Sequence, residues 1–180
     1  MERRVASELR TAGRSKLGGY AAVFGALSQD LGGFTETIRP GAFRRALLSN
    51  PDVLALWDHD TRMVLGRTTA GTLRLQEDGY GLSFEIDLPE TQSARDLVVS
   101  VVRGDISGAS FAFKVVEDRW SQSNSGMLRE LLDVDLIDVT VTAIPAYPET
   151  QVAKRTLEKI AKPMRAGFAV RYLEIIAGAK

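Results

Sequence analysis

The chain has 180 residues, 44% of them hydrophobic, which is enough for one sizeable core and too few for two large domains. Lys and Arg number 23, as do Asp and Glu, so no net charge draws the protein toward nucleic acid or an anionic membrane. The absence of cysteine excludes disulfides, thiolate nucleophiles and cysteine-ligated zinc, and the single histidine excludes a two-histidine metal site. We therefore expect no metal, no cofactor and no nucleic-acid partner.

The two ends of the chain differ in character from its middle. Residues 1–17 are polar and basic and are interpreted as a flexible arm. No apolar run approaches the ~18 residues that a membrane span needs, so we expect no membrane association and a cytoplasmic location. From about residue 150 the pattern turns helical. The sequence thus predicts an arm at 1–17, a folded domain at 18–150 and a helical tail at 151–180.

Strand patterns dominate the middle of the chain. In chain order they are "GGYAAVFGAL", "FTETIRP", "DVLALWDH", "GTLRLQED", "GLSFEIDL", "ISGASFAFKVVED" and "LLDVDLIDVTVTAIP". A short helix is predicted in "PGAFRRALLSN" with Pro40 in its first turn, and a longer one between a Thr91 cap and a Gly104 stop. Asp78-Gly79 indicates a hairpin. The pattern predicts an α+β, mainly β fold: a barrel or a sandwich carrying a few helices.

Alternation along "ISGASFAFKV" separates two serines. It puts Ser107 on the face of the phenylalanines, toward the core. Ser110 lies on the opposite, outward face, where the small residues Gly108 and Ala112 leave room for a substrate backbone. Ser110 is therefore the better candidate for a nucleophile.

The same alternation in "LIDVTVTAIP" identifies a candidate carboxylate. Ile137 and Val139 fall on the apolar face with Val141 and Ala143, so Asp138 projects with the two following threonines to the polar face. The strand therefore offers one acidic side chain on the same kind of face as Ser110.

His59 in "LWDHD" is open to three interpretations. It could end a strand while bonded to Asp58 or Asp60, or act with a serine and an aspartate in catalysis. A metal-dependent hydrolase using Asp58, His59 and Asp60 is disfavoured, because alternation along a strand sends His59 away from both aspartates.

Several strings, in this order, resemble the tailed-bacteriophage (Caudovirus) prohead maturation serine protease family, which is distantly similar to the herpesvirus assemblins. They are "GYAAVF", "IRPGAF", "LWDHD", "LGR", "GLSFEIDL", "GDISGASFAF" and "DVTVTAIPAYPET", between about Gly19 and Thr150. The resemblance implies a closed β-barrel of about six to eight strands flanked by helices. It also implies an endopeptidase that cuts scaffold or capsid-protein segments, and itself, inside the procapsid in the host cytoplasm. Homo-oligomer formation stays open.

The resemblance also implies roles for individual residues. It makes Ser110 the nucleophile and His59 the general base, which removes the hydroxyl proton and later protonates the leaving amine. Assemblins orient the base with a second histidine, which this chain lacks. Asp138 is our choice for that position, with Asp60 as the runner-up and a Ser–His dyad as the remaining alternative.

Two further points concern the groups that would stabilise the oxyanion and a possible function without cleavage. A backbone N–H near Arg67, or one around Ser110 at Gly108 or Ala109, is needed to stabilise the oxyanion, and the Arg67 guanidinium of "LGR" is a candidate to assist it. Arg67 could equally form a surface salt bridge. A protease-like module that assists capsid assembly without cleaving is the alternative function, and the joint presence of His59 and Ser110 argues against it.

Overall fold

The computed structural model describes residues 16–123 and 126–144, so the predicted helical tail and nearly all of the predicted arm lie outside the described residues. The strands are β1 (Lys16–Val23), β2 (Phe34–Ile38), β3 (Leu54–Trp57), β4 (Asp60–Arg67), β5 (Leu73–Glu77), β6 (Gly81–Asp87), β7 (Gly108–Ser123) and β8 (Gly126–Thr142). The helices are α1 (Arg44–Leu48) and α2 (Gln92–Arg103). No helix among these residues is long and apolar enough to cross a membrane.

The strands form two sheets. The smaller sheet is antiparallel with the order β1-β6-β5. The larger sheet is built around β8, which pairs with β7 on one side. On its other side β8 pairs in parallel with β2 near its start and with β3 near its end, and β4 continues the sheet from β3. The apolar core includes side chains from both sheets, among them Leu17, Ile86, Ala55 and Val139.

The predicted closed barrel is wrong, because both sheets are open. At the end of β4 the chain turns into the second sheet. The Thr72 hydroxyl accepts a hydrogen bond from the Arg67 amide at 2.9 Å, and the Thr72 amide donates to the Arg67 carbonyl at 3.2 Å. These bonds occupy the hydrogen-bonding groups of Arg67 that a neighbouring strand would need. β5 then pairs with β6 instead of extending the sheet from β4.

The two helices test the predicted end signals. In α2 the Thr91 hydroxyl accepts a hydrogen bond from the Ala94 amide at 3.3 Å, and Gly104 ends the helix with φ 84°, as predicted. The start of α1 was predicted wrongly at Pro40. Pro40 instead belongs to a turn in which the Ala42 amide donates to the Arg39 carbonyl at 3.1 Å, and the helix begins at Arg44.

An irregularity in β8 changes which side chains face the core. Phe113 pairs with Leu136 and Ala112 with Asp138, so Ile137 is an extra residue in the ladder. Ile137 is 43% exposed, which corrects its predicted place on the apolar face, whereas Leu136 is buried in the core. The extra residue lets Leu136 face the core while Asp138, two positions later, faces the opposite side with Ala112.

Candidate active site

His59 lies in a tight turn between β3 and β4. Trp57 pairs with Asp60, and the two residues between them have left-handed backbones, with φ 52° at Asp58 and 55° at His59. Two consecutive positive φ values are the pattern of the type I′ hairpin turn. Asp58 and His59 therefore form a turn and do not continue the extended strand that the sequence pattern predicted. Left-handed backbones cost free energy in residues other than glycine, and such strain collects at functional sites.

The turn is fastened to β8 by its backbone. The Asp58 amide donates to the Val141 carbonyl at 3.0 Å. The His59 amide donates to the Thr140 hydroxyl at 2.9 Å, and that hydroxyl donates in turn to the Leu56 carbonyl at 3.1 Å. These bonds hold the His59 backbone against the strand that carries Asp138.

The imidazole of His59 bonds to Asp138. Its Nδ1 is 2.8 Å from Asp138 Oδ1, and the His59 side chain is 41% exposed against 9% for Asp138. Because an ionised carboxylate only accepts hydrogen bonds, Nδ1 is the donor in this pair, and in the neutral ring Nε2 then keeps its lone pair. This is the arrangement that a general base needs, and the exposed ring can be approached by a substrate.

Burial and charge act in opposite directions on Asp138. Desolvation raises the pKa of its carboxyl group above the ordinary value, while the charge of His59 and the hydrogen bond to it lower that pKa. Burial is the larger effect, so the pKa is raised overall.

Ser110 lies on β7 directly opposite Thr140 in the antiparallel register. Opposed residues have Cβ atoms about 5 Å apart on one face of the sheet, so Ser110 neighbours the hydroxyl that holds the His59 amide. Ser110 and Asp138 are each 7% exposed, so the face predicted to point outward is buried. Within the described residues no hydrogen bond joins Ser110 to the imidazole. In substrate-free sites such bonds often shorten only when substrate binds.

Asp60 of "WDHD" has a different hydrogen-bond partner from Asp138. Asp60 accepts hydrogen bonds from the Arg62 side chain at 3.0 Å and from its amide at 2.9 Å, and these lower the pKa of Asp60. Asp60, the runner-up for the orienting carboxylate, is therefore engaged with Arg62. Among residues 16–123 and 126–144, no cluster of three or more potential metal ligands occurs.

The sequence model of the family described as Caudovirus prohead serine protease matches residues 2–163. The chain belongs to this family. It is accordingly assigned to the phage prohead serine proteases, hydrolases of capsid maturation. A comparison with curated proteins gives no significant match.

A prohead serine protease must stabilise an oxyanion, and the candidates for this role differ in their surroundings. The Arg67 guanidinium donates to Asp52 from Nε at 2.7 Å and holds the pKa of that carboxyl group at about 2. Arg67 thus forms a salt bridge with Asp52, which was the alternative to a role in stabilising the oxyanion. Gly108 and Ala109 are buried in β7 immediately before Ser110. Ser107 precedes β7 and is half-buried.

Sequence reasoning missed the structural role of Thr140 in this prohead protease. Alternation placed Thr140 on the face of Asp138, but the hydrogen bond to His59 depends on the turn folding over β8. The spacing of Asp138 and Thr140, two residues apart on one strand, was the available signal.

Proposed function

We propose that this prohead protease is a maturation serine endopeptidase in which Ser110 is the nucleophile, His59 the general base and Asp138 the orienting carboxylate. The observation that carries the proposal is the 2.8 Å bond between His59 Nδ1 and Asp138 Oδ1. That bond leaves Nε2 as a proton acceptor, and Ser110 lies one strand away on the same face of the sheet.

The proposed mechanism follows from these positions. Ser110 Oγ attacks the peptide carbonyl carbon while Nε2 of His59 takes the hydroxyl proton. The imidazolium is stabilised by Asp138 and gives the proton to the leaving amine, which departs as the new amino terminus. Water then hydrolyses the acyl-enzyme by the same route in reverse. A backbone N–H just before Ser110, at Gly108 or Ala109, is the proposed oxyanion donor, because only one of these consecutive strand amides faces away from β8.

The proposed substrates are capsid-related segments: the scaffold, the major capsid protein and the protease chain itself. The proposed location is the assembling procapsid in the host cytoplasm. Membership of the prohead protease family supports both proposals. A distant relation to the herpesvirus assemblins and a folded unit at 18–150 are kept as predictions.

The alternative is an assembly module that does not cleave. It gives no reason for a strained turn that brings the chain's single histidine to a buried carboxylate beside a buried serine. Maintaining a left-handed His59 costs stability, and such a cost is retained where function requires it. We therefore favour the catalytic function.

Co-expression with the phage's own capsid protein and scaffold, followed by intact-mass measurement of all products, tests this function. For each cut by the wild-type protein, the masses of the two products should sum to the mass of the uncut chain plus one water molecule. Ser110→Ala should lower cleavage by about four to six orders of magnitude while the protein stays folded.

Ser107→Ala is the matched control, because Ser107 is the neighbouring serine that the face alternation assigned to the core. It should retain cleavage, and a chelator should leave the wild-type rate unchanged, since the proposed chemistry uses no metal. Loss of cleavage in Ser107→Ala with full activity in Ser110→Ala would refute the residue assignment.

A further inference from the structure

Thr140 is the residue through which β8 holds the backbone of His59. It is 2% exposed, and its hydroxyl both accepts and donates a hydrogen bond. The acceptor side receives the His59 amide at 2.9 Å, and the donor side reaches the Leu56 carbonyl at 3.1 Å. A single buried hydroxyl thus joins the last part of β3 to the turn that follows it.

Both of these bonds need a side chain with one donor and one acceptor at the same atom. The hydroxyl of threonine or serine supplies both a donor and an acceptor. Valine has the shape of threonine but can neither donate nor accept a hydrogen bond. The His59 amide lies in a two-residue turn, where no backbone partner within the hairpin is positioned for it. Without the hydroxyl, the amide and the Leu56 carbonyl would lose this shared buried partner.

The attachment of His59 to β8 has two points. Thr140 holds the backbone amide, and Asp138, two residues earlier on the same face, holds ring Nδ1 at 2.8 Å. Two fixed points determine where the imidazole points, whereas one would leave the ring free to swing about it. Ser110 lies opposite Thr140 in the register, so the residue that holds His59 also neighbours the proposed nucleophile.

We propose that Thr140 is a positioning residue of the active site, which fixes His59 so that Nε2 is presented to Ser110. This inference rests on the proposed function. Thr140 touches neither substrate nor the reacting atoms and acts only through His59. Its effect should therefore appear in kcat, with KM little changed, because misplacing a general base slows the chemical step without removing a substrate contact.

Three variants separate positioning from simple structural support. Thr140→Val removes the hydroxyl and should lower kcat about 10- to 100-fold. Thr140→Ser keeps the hydroxyl and should restore most of the rate. Thr37→Val makes the same change at another buried threonine, on β2, and should leave kcat unchanged.

Nuclear magnetic resonance (NMR) reads the position of the imidazole without any substrate. The chain has one histidine, so the ring nitrogens of the ¹⁵N-labelled full-length protein give a single set of histidine signals. Wild type, Thr140→Ser and Thr37→Val should show the Nδ1-protonated tautomer with a slowly exchanging ring proton. Thr140→Val should show a ring averaged between tautomers, with a proton that exchanges rapidly.

The outcomes distinguish this inference from the proposed function. Unchanged ring signals and unchanged kcat in a folded Thr140→Val protein would overturn the positioning role. If wild-type protein cleaves nothing, the proposed function fails, and the ring signals still decide whether Thr140 fixes His59. If Thr140→Val does not fold, the wild-type His59 amide gives the answer: slow hydrogen exchange supports the bond to Thr140, and exchange as fast as that of an open turn contradicts it.

Discussion

At the scale of single residues, the site combines one buried and one accessible partner. Asp138 is almost withdrawn from solvent, whereas the imidazole that it holds is open on its other side. A buried carboxylate keeps a strong interaction with an imidazolium, because little water screens it. The accessible ring edge is free to meet the serine and the substrate. A buried carboxylate beside an exposed imidazole suits a general base that becomes charged during the reaction.

Replacing Asp138 with asparagine tests the direction of its pKa shift. Because its pKa is raised, the Asp138 carboxyl group binds a proton more tightly in the folded protein than in the unfolded chain. An aspartate in the unfolded chain has a pKa of about 3.9. The contribution of this protonation to the free energy of unfolding is fully present below about pH 4. It is lost as the pH rises through the pKa of Asp138 in the folded protein. In urea titrations, the unfolding free energy of wild type relative to Asp138→Asn should therefore fall as the pH rises above about 4. Cleavage by the variant should drop by up to about four orders of magnitude.

Asp52→Asn is the matched control with the opposite sign. Arg67 lowers the pKa of Asp52 to about 2, so that carboxylate stabilises the fold above the unfolded pKa, and its contribution disappears as the pH falls. Its effect should be small, because the pair is exposed and screened. A wild-type protein that gains stability over Asp138→Asn with rising pH would contradict the raised pKa of Asp138.

The residue types at the site were predictable, and part of their arrangement was not. The sequence pattern offered His59, Ser110 and Asp138 as candidates, and the resemblance to the prohead protease family assigned their catalytic roles, which stay predictions. Alternation did not reveal that the Asp58–His59 pair forms a turn, because consecutive left-handed residues carry no glycine signal here. The role of the Thr140 hydroxyl depends on contacts between distant parts of the chain and has no local pattern.

At the scale of secondary-structure elements, β8 organises the site by pairing with three strands. It carries Asp138 and Thr140, lies beside Ser110 on β7, and receives the turn at the end of β3. The extra residue at Ile137 changes the direction of the side chains between Leu136 and Asp138. Sequence alternation assumes an unbroken ladder, so it assigned Ile137 to the wrong face while still placing Asp138 opposite Val139.

The pairing of β2 with β8 leaves one buried hydroxyl unused. Thr37 is 7% exposed, and its Oγ1 has no hydrogen-bond partner within the described residues. Burying an unbonded hydroxyl is unfavourable, so Thr37→Val should raise the free energy of unfolding by about 1 kcal/mol. Urea unfolding measures this change.

Thr140→Val is the matched comparison, because its hydroxyl makes two hydrogen bonds. That variant should lose about 1–3 kcal/mol, since it leaves two buried groups without their partner. If Thr37→Val destabilised the protein as much as Thr140→Val, the Thr37 hydroxyl would have to be hydrogen-bonded, contrary to the structure.

At the scale of the whole molecule, two open sheets enclose the core and leave the site on the larger one. The sequence indicated a barrel or a sandwich, and the family resemblance favoured the barrel. Alternation reports which face of a strand is buried, but it does not report which strand edges are joined. The turn from β4 into β5 decides that question through the bonds between Thr72 and Arg67.

The start of the folded unit gives a further prediction. The start predicted from the sequence, residue 18, stays a prediction. β1 begins at Lys16, whose Nζ lies 3.0 Å from Glu85 Oε1, and Leu17 is 2% exposed opposite Ile86. A chain that begins at residue 16 keeps both of these contacts and serves as the reference. A chain that begins at residue 18 should lose about 2 kcal/mol, chiefly through the burial of Leu17. Equal unfolding free energies for the two truncated chains would contradict this role of Leu17.

Labelling with a fluorophosphonate, which reacts covalently with activated serines, tests whether Ser110 is a nucleophile activated by His59. The wild-type protein is incubated with the reagent, digested and mapped by mass spectrometry. We expect one adduct, on Ser110, formed at a rate that falls by orders of magnitude in His59→Ala and is unchanged in Thr37→Val. An adduct on Ser107 or another serine, or equal labelling of Ser110 in the absence of His59, would contradict the account.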